Sequence, residues 1–231
     1  MSAVSVKKSW SGYCCRKSDR TMTVVRYVDI SGLTDEACEL LYSRASRERK
    51  ERADRYLRRE DRCRCLVAEA LLRFAVKQAL GLENFTVERT AKGKPYLPAQ
   101  PDFCFNLSHS GDWVAIVWGN DPVGVDIEQL RSNPSGEQLA RRCFCSDEQA
   151  YLFAASDEER TRRFFELWTM KESYLKYLGT GIDRPLSSFS VLKPQGLEVQ
   201  FDLSFPADAV LAVCAQSRER NCRPLPLDNL I

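Results

Sequence analysis

Apolar positions recur along this chain with two periods, and their order predicts the elements. Residues 23–30 (TVVRYVDI) are rich in β-branched and aromatic types and read as a strand. Thr34, followed by Asp35 and Glu36, opens a helical pattern. Leu66, Val67, Ala70, Leu71 and Phe74 share one face of a further helix, which Gly81 closes. A short strand is predicted over 85–89, then a turn-rich segment over 91–101 around Gly93-Lys94-Pro95 and Pro98. Strands over 103–107 and 113–118 flank Ser108-His109-Ser110-Gly111. The Gly119-Asn120-Asp121-Pro122 turn leads into another strand over 123–128. Past a polar loop over 131–136, helices are predicted over 137–142, 147–155 and 158–178, the last ended by Gly179 and Gly181. Strands over 188–192, 197–203 and 210–215 follow, then a polar tail over 218–231. Residues 1–21 are polar and aperiodic and read as a disordered extension.

Helix and strand alternate without the regularity of a doubly wound sheet, and the strands come in hairpin-like runs. That order predicts an α+β fold. The turn at 119–122 divides it into an N-terminal subdomain (22–119) and a C-terminal subdomain (120–231) that carries the tail.

Composition narrows the class. With 44% hydrophobic and 29% charged residues in 231, a wholly disordered chain is excluded. The apolar stretch from Trp113 to Trp118 is far too short to span a bilayer. Residues 1–20 contain no apolar core of a secretory signal, so the ten cysteines are expected to be reduced thiols in a cytoplasmic protein. Cys14-Cys15, Cys63-x-Cys65 and Cys143-x-Cys145 lack the spacing of zinc sites, and His109 is the one histidine. The net charge of +2 hides an asymmetry: residues 44–64 hold ten Lys/Arg and five Asp/Glu, a local +5. A basic stripe in a near-neutral chain points to an anionic ligand.

Three features carry candidate chemistry. Along the strand 123–128, Val125 and Ile127 face one side while Asp126 and Glu128 face the other, roughly 6.5–7 Å apart. Such a pair belongs either to the polar face of an edge strand or to a site for Mg²⁺, which binds through one or two carboxylates plus substrate phosphates. On the helix over 158–178, Leu167, Met170, Tyr174, Tyr177 and Leu178 form the core stripe. Trp168, Glu172 and Lys176 lie opposite, with Lys171 beside them, as surface ion pairs or as a base among phosphate-neutralising cations. The third feature is the series Arg49, Arg52, Arg55, Arg59 and Arg64, which fits a solvated helical face, a nucleic-acid surface or a cradle for a phosphomonoester. Interleaved Glu48, Glu51, Asp54, Glu60 and Asp61 argue against nucleic acid.

Taken together, these segments resemble the Sfp-like 4′-phosphopantetheinyl transferases. The resemblance runs from about Ser46 into the 210s. It is carried by Arg59-Glu60-Asp61…Arg64…Glu69…Arg73, Gly93-Lys94-Pro95 and Phe105-Asn106-Leu107-Ser108-His109-Ser110. It continues through Gly124-Val125-Asp126-Ile127-Glu128 and Phe164…Trp168-Thr169-Met170-Lys171-Glu172-Ser173-Tyr174-Leu175-Lys176. The last two motifs are specific as a pair, and the length and upstream motifs set the chain apart from the shorter holo-acyl-carrier-protein synthases. The resemblance implies two similar α+β subdomains related by a pseudo-two-fold axis, with the active site in the cleft between them, in a monomer. It implies coenzyme A as donor, a serine of an apo acyl or peptidyl carrier protein as acceptor, and adenosine 3′,5′-bisphosphate as by-product. Asp126, Glu128 and Glu148 would hold Mg²⁺ or Mn²⁺; Glu172 would be the general base; and Lys176, with Lys171, would neutralise the phosphates. His109, Arg49, Arg52 and Arg64 would hold the 3′-phosphate, with Lys94, Pro95 and Ser108 lining the nucleotide pocket. Arg49 and Arg52 depart from lysines in the family pattern. The carrier is expected on residues 130–144, through Leu139, Arg141, Arg142 and Phe144. No nucleic acid and no membrane are expected as partners. Against this stand two other readings: a nucleic-acid binder using the arginine series, and a catalytically inactive carrier-binding module.

Overall fold

The computed structural model describes residues 22–131, 136–217 and 219–231; the expectation for residues 1–21 lies outside them. In the first half, strand β1 (Thr23–Asp29) leads into helices α1 (Asp35–Arg44), α2 (Arg47–Ala53) and α3 (Arg59–Leu80). Strands β2 (Glu88–Arg89), β3 (Pro95–Tyr96), β4 (Cys104–Ser110) and β5 (Trp113–Gly119) follow. The second half has β6 (Val123–Gln129), α4 (Gly136–Cys143), α5 (Ser146–Phe153), α6 (Asp157–Leu178), β7 (Gln200–Ser204), β8 (Ala209–Ala215) and β9 (Arg220–Pro224). The expected α+β organisation in two similar halves is what forms. Each half packs one 22-residue helix, α3 or α6, on a sheet. Both helices end on a left-handed glycine, Gly81 at φ 68° and Gly179 at φ 67°, a conformation that costs other residues steric strain.

The first sheet runs β4-β5-β1-β9 and the second β6-β8-β7; β2 and β3 form a separate ribbon. One apolar core lies between α1, α3 and the first sheet, around Leu66, Leu71, Phe105 and Ile116. A second lies under α6, around Phe144, Phe164, Leu167 and Tyr174. A third joins the halves, where Val25, Ala115 and Val117 meet Val125, Ile127, Leu211 and Val213.

Two expectations are corrected. The tail is not a loose end of the second half: β9 adds to the first sheet in parallel with β1, and Leu225 and Leu230 enter the first core. Its polar composition suits an edge strand, which needs no alternation of two buried faces. Residues 188–192 form no strand; the segment begins with a single 3₁₀ turn, Leu186–Ser188. The carbonyls of Leu186 and Phe189 accept hydrogen bonds from the Lys171 ammonium instead of from a neighbouring strand.

Candidate active site

The halves meet where edge strand β4 of the first sheet runs beside edge strand β6 of the second. Side chains rather than a backbone ladder bridge them. Alternation along β4 sends Asn106, Ser108 and Ser110 toward β6. Asn106 Oδ1 accepts from the backbone N–H of Val125 at 3.0 Å. Ser108 Oγ donates to Asp126 Oδ1 at 2.8 Å, and Ser110 Oγ to Glu128 Oε2 at 2.5 Å. Hydroxyls of one half thus orient both acidic side chains of the other.

Helix α6 covers these carboxylates. Its approach depends on Gly124, where a Cβ would lie 2.0 Å from the carbonyl oxygen of Ser173 and 2.5 Å from the backbone nitrogen of Tyr177. The close approach brings Lys176 Nζ to 2.6 Å from Asp126 Oδ1 and 2.8 Å from Ser108 Oγ. Glu172, one turn earlier, is half-buried in a cleft of about 290 Å³ with Asn106, Pro95, Lys176 and Gly179. Burial, together with the charge of Asp126, raises the Glu172 carboxyl above its ordinary value. Glu128 is raised for the same two reasons, in the same order.

Asp126 is buried, and its Oδ2 has no hydrogen-bond partner. A buried carboxylate oxygen without a partner, beside a second carboxylate, is a donor set suited to a hard cation. Among the described residues, no group of three His, Cys, Asp or Glu side chains converges as a metal cage. Asp126 and Glu128 stand side by side as two carboxylates, the number with which Mg²⁺ commonly binds beside phosphates and water.

The opposite face of β4 carries His109 toward α2. Arg49, Arg52, Arg89, Cys65 and His109 line a second cleft of about 170 Å³, which shares Pro95 and Asn106 with the first. Desolvation and the like charges of Arg64, Lys176 and Arg52 lower the His109 pKa, against a smaller opposing effect of Asp61. The repulsion by the three cations is the part a bound anion would reverse.

Of the residues singled out from sequence, Asp126, Glu128, Glu172 and Lys176 thus come together, and Arg49, Arg52, Pro95 and His109 gather next to them. Six others depart from expectation. Glu148 is not aimed at the carboxylate pair: it is fully buried, paired with Lys171 Nζ at 2.7 Å, and accepts from the backbone of Cys145 and Val191. Lys171 cannot reach a phosphate, because its ammonium is fully enclosed by Glu148, two backbone carbonyls and the Phe189 ring. Ser108 serves the carboxylates and not the second cleft, since it points away from His109 across the strand. Lys94 lines the first cleft, but its Nζ donates to the carbonyls of Val123, Lys176 and Tyr177. Arg64 is tied to Asp61 and the Gly111 carbonyl beside the cleft. Phe144 is buried in the second core, which removes it from a docking face. Asn106, Ser110 and Arg89 were missed as site residues, although the period-two spacing 106, 108, 110 placed three polar side chains on one face of a strand.

The arginine series is not a surface of one sign. Arg47, Arg49, Arg59, Arg62 and Arg64 each pair with a carboxylate of this chain. Among the described residues, no helix is long and apolar enough to cross a membrane.

Two family models match successive parts of the chain. Residues 122–220 match the family model described as the 4′-phosphopantetheinyl transferase superfamily. Residues 34–119 match the model described as the N-terminal part of a 4′-phosphopantetheinyl transferase. A curated 4′-phosphopantetheinyl transferase of Bacillus subtilis is 39% identical over 186 residues, covering 74% of this chain and 81% of that protein. The 4′-phosphopantetheinyl transferase Sfp of Bacillus subtilis strain 168 is 36% identical over 173 residues, covering 74% and 76%. The 4′-phosphopantetheinyl transferase gsp of Aneurinibacillus migulanus is 36% identical over 157 residues, covering 67% and 65%.

Proposed function

Since the chain belongs to the 4′-phosphopantetheinyl transferase superfamily, we propose that it transfers the 4′-phosphopantetheine group of coenzyme A to a serine hydroxyl of an apo acyl or peptidyl carrier protein. Adenosine 3′,5′-bisphosphate leaves. The observation that carries this reading is the convergence, at one seam, of a carboxylate pair, a base with a raised pKa, a cation and an adjoining cationic cleft.

Phosphoryl transfer depends on positioning and on charge neutralisation. Arg49, Arg52 and His109 suit the 3′-phosphate, and Pro95 and Asn106 line the passage from there to Glu172. Asp126 and Glu128 would hold Mg²⁺, which supplies positive charge at the pyrophosphate when bound. Lys176, already against Asp126, adds charge on the same side. Glu172 takes the proton from the serine hydroxyl as its oxygen attacks phosphorus, and a carboxylate with a raised pKa is a better proton acceptor there than an ordinary one. For docking of the carrier, α4 offers Arg141 and Arg142.

Incubation with coenzyme A, Mg²⁺ and a panel of apo carrier proteins should add one phosphopantetheine mass to at least one carrier. No mass change across the panel would overturn the proposal. Asp126→Asn should abolish transfer while the melting transition stays cooperative; full activity in that variant would remove the metal assignment.

A further inference from the structure

Helix α2 has seven residues, too few to hold its own shape, yet it carries both Arg49 and Arg52 into the cationic cleft. What fixes it is a carboxylate that no step of the transfer uses. Glu69, on α3, is 6% exposed and receives hydrogen bonds from three residues. Its Oε1 accepts from the backbone N–H of Ser46 at 2.9 Å and from Arg73 at 2.8 and 3.0 Å. Its Oε2 accepts from Ser46 Oγ at 2.9 Å and from Arg49 Nε at 3.2 Å. Ser46 is the N-cap of α2, and its hydroxyl also accepts from the backbone of Arg49. One carboxylate therefore ties down the cap of α2 and one edge of the Arg49 guanidinium at once. The other edge of that guanidinium rests on Cys65 in the cleft wall.

We propose that Glu69 is a positioning residue for the donor: through Ser46 and Arg49 it sets the orientation in which α2 offers its arginines to a phosphate. This rests on the reading of the Arg49–Arg52–His109 cleft as the seat of the 3′-phosphate of coenzyme A. Two effects of Glu69 oppose each other, which makes the sign of the outcome informative. Its negative charge, near the cleft, weakens attraction for an anion. Its hydrogen bonds hold the arginine side chain that would otherwise lose rotamer freedom on binding. Positioning predicts weaker donor binding when Glu69 is neutralised, whereas a purely coulombic role predicts tighter binding.

The experiment measures KM for coenzyme A and for 3′-dephospho-coenzyme A, at a saturating apo carrier, in the wild type and in Glu69→Gln. The wild type should discriminate between the donors; equal KM values would overturn the phosphate reading itself. Given that discrimination, Glu69→Gln should raise KM for coenzyme A about tenfold, the scale of one charge-assisted contact. It should leave kcat and the KM for 3′-dephospho-coenzyme A within about twofold. In an Arg49→Ala background the same substitution should raise KM for coenzyme A by clearly less than tenfold, because only the route through the Ser46 cap to Arg52 remains. An unchanged or lowered KM for coenzyme A, or an equal rise with both donors, overturns the proposal. Should Glu69→Gln fail to fold, Ser46→Ala removes one hydroxyl from the same network and must give the same donor-selective rise at smaller size; its absence overturns the proposal equally.

Discussion

Lys171 and Glu148 supply the sharpest test, because the structure assigns them a role opposite to the one their motifs suggested. Their ion pair has both side chains fully buried at 2.7 Å. Lys171→Met keeps the volume of the stem and removes the ammonium. Glu148 then stays buried with the N–H groups of Cys145 and Val191 but no counter-charge, and the carbonyls of Leu186 and Phe189 lose their donor. Breaking a buried pair by deleting one partner costs about 3–5 kcal/mol. For a chain of this size that corresponds to a fall in Tm of roughly 6–20 °C. Pairing the substitution with Glu148→Gln removes the stranded charge, so the double variant should recover much of the loss. Thermal melting by circular dichroism reads the stability, and steady-state transfer well below the lowered Tm reads the chemistry. KM for coenzyme A should stay within about twofold of wild type, since a fully enclosed ammonium can supply no more than a distant, protein-screened charge to the donor. A Lys171→Met protein with an unchanged Tm and no transfer would refute the argument and return Lys171 to the phosphates.

Other expectations follow from the seam between the halves. Gly124→Ala should lower stability by about 1–3 kcal/mol, the scale of overpacking, and slow transfer further, because the added carbon meets the backbone of Ser173 and Tyr177 and pushes α6 off the carboxylates; wild-type kcat in a well-folded variant would contradict it. Glu128 and Glu172 have raised pKa values, so the folded state keeps protons there that the unfolded chain releases, and a cation must compete with them. The rise in Tm on adding Mg²⁺ should therefore shrink as pH falls from neutrality toward their ordinary value of 4.5, and a rise independent of pH would count against the metal assignment. His109 has a folded pKa below its ordinary 6.5, so the unfolded state binds the proton first and stability declines as pH drops below about that value; His109→Asn should flatten this decline in melting curves taken across that range.

What could be read from sequence was what period and cap chemistry dictate. The two faces of 123–128 and the glycine ends of α3 and α6 follow from local rules, and they put Asp126, Glu128, Glu172 and Lys176 on the strand and helix that meet at the seam. Lys171 shows where such rules stop: a lysine within a polar run reads as solvated, and its burial depends on Glu148, which lies far off in sequence. Lys94 was misread for the same reason, since its partners are carbonyls of β6 and α6 in the other half. β9 was missed because an edge strand beside β1 can be polar on both faces. The segment 188–192 failed in the opposite sense: its apolar residues are buried, but its backbone is not paired as a strand. Nothing in a one-dimensional pattern reports a partner across the fold.

The position of Lys94 also bears on what an approaching donor would feel. The last carbonyls of a helix carry roughly half a negative elementary charge, and those of α6 end beside the cleft at Gly179. Left bare, that end would repel a polyanion at the entrance. The ammonium of Lys94, held against the carbonyls of Lys176 and Tyr177, cancels the field at its source. The potential in the entrance is thus a joint property: a side chain of one half silences the dipole of the other, and neither half alone would present the same face to an anion.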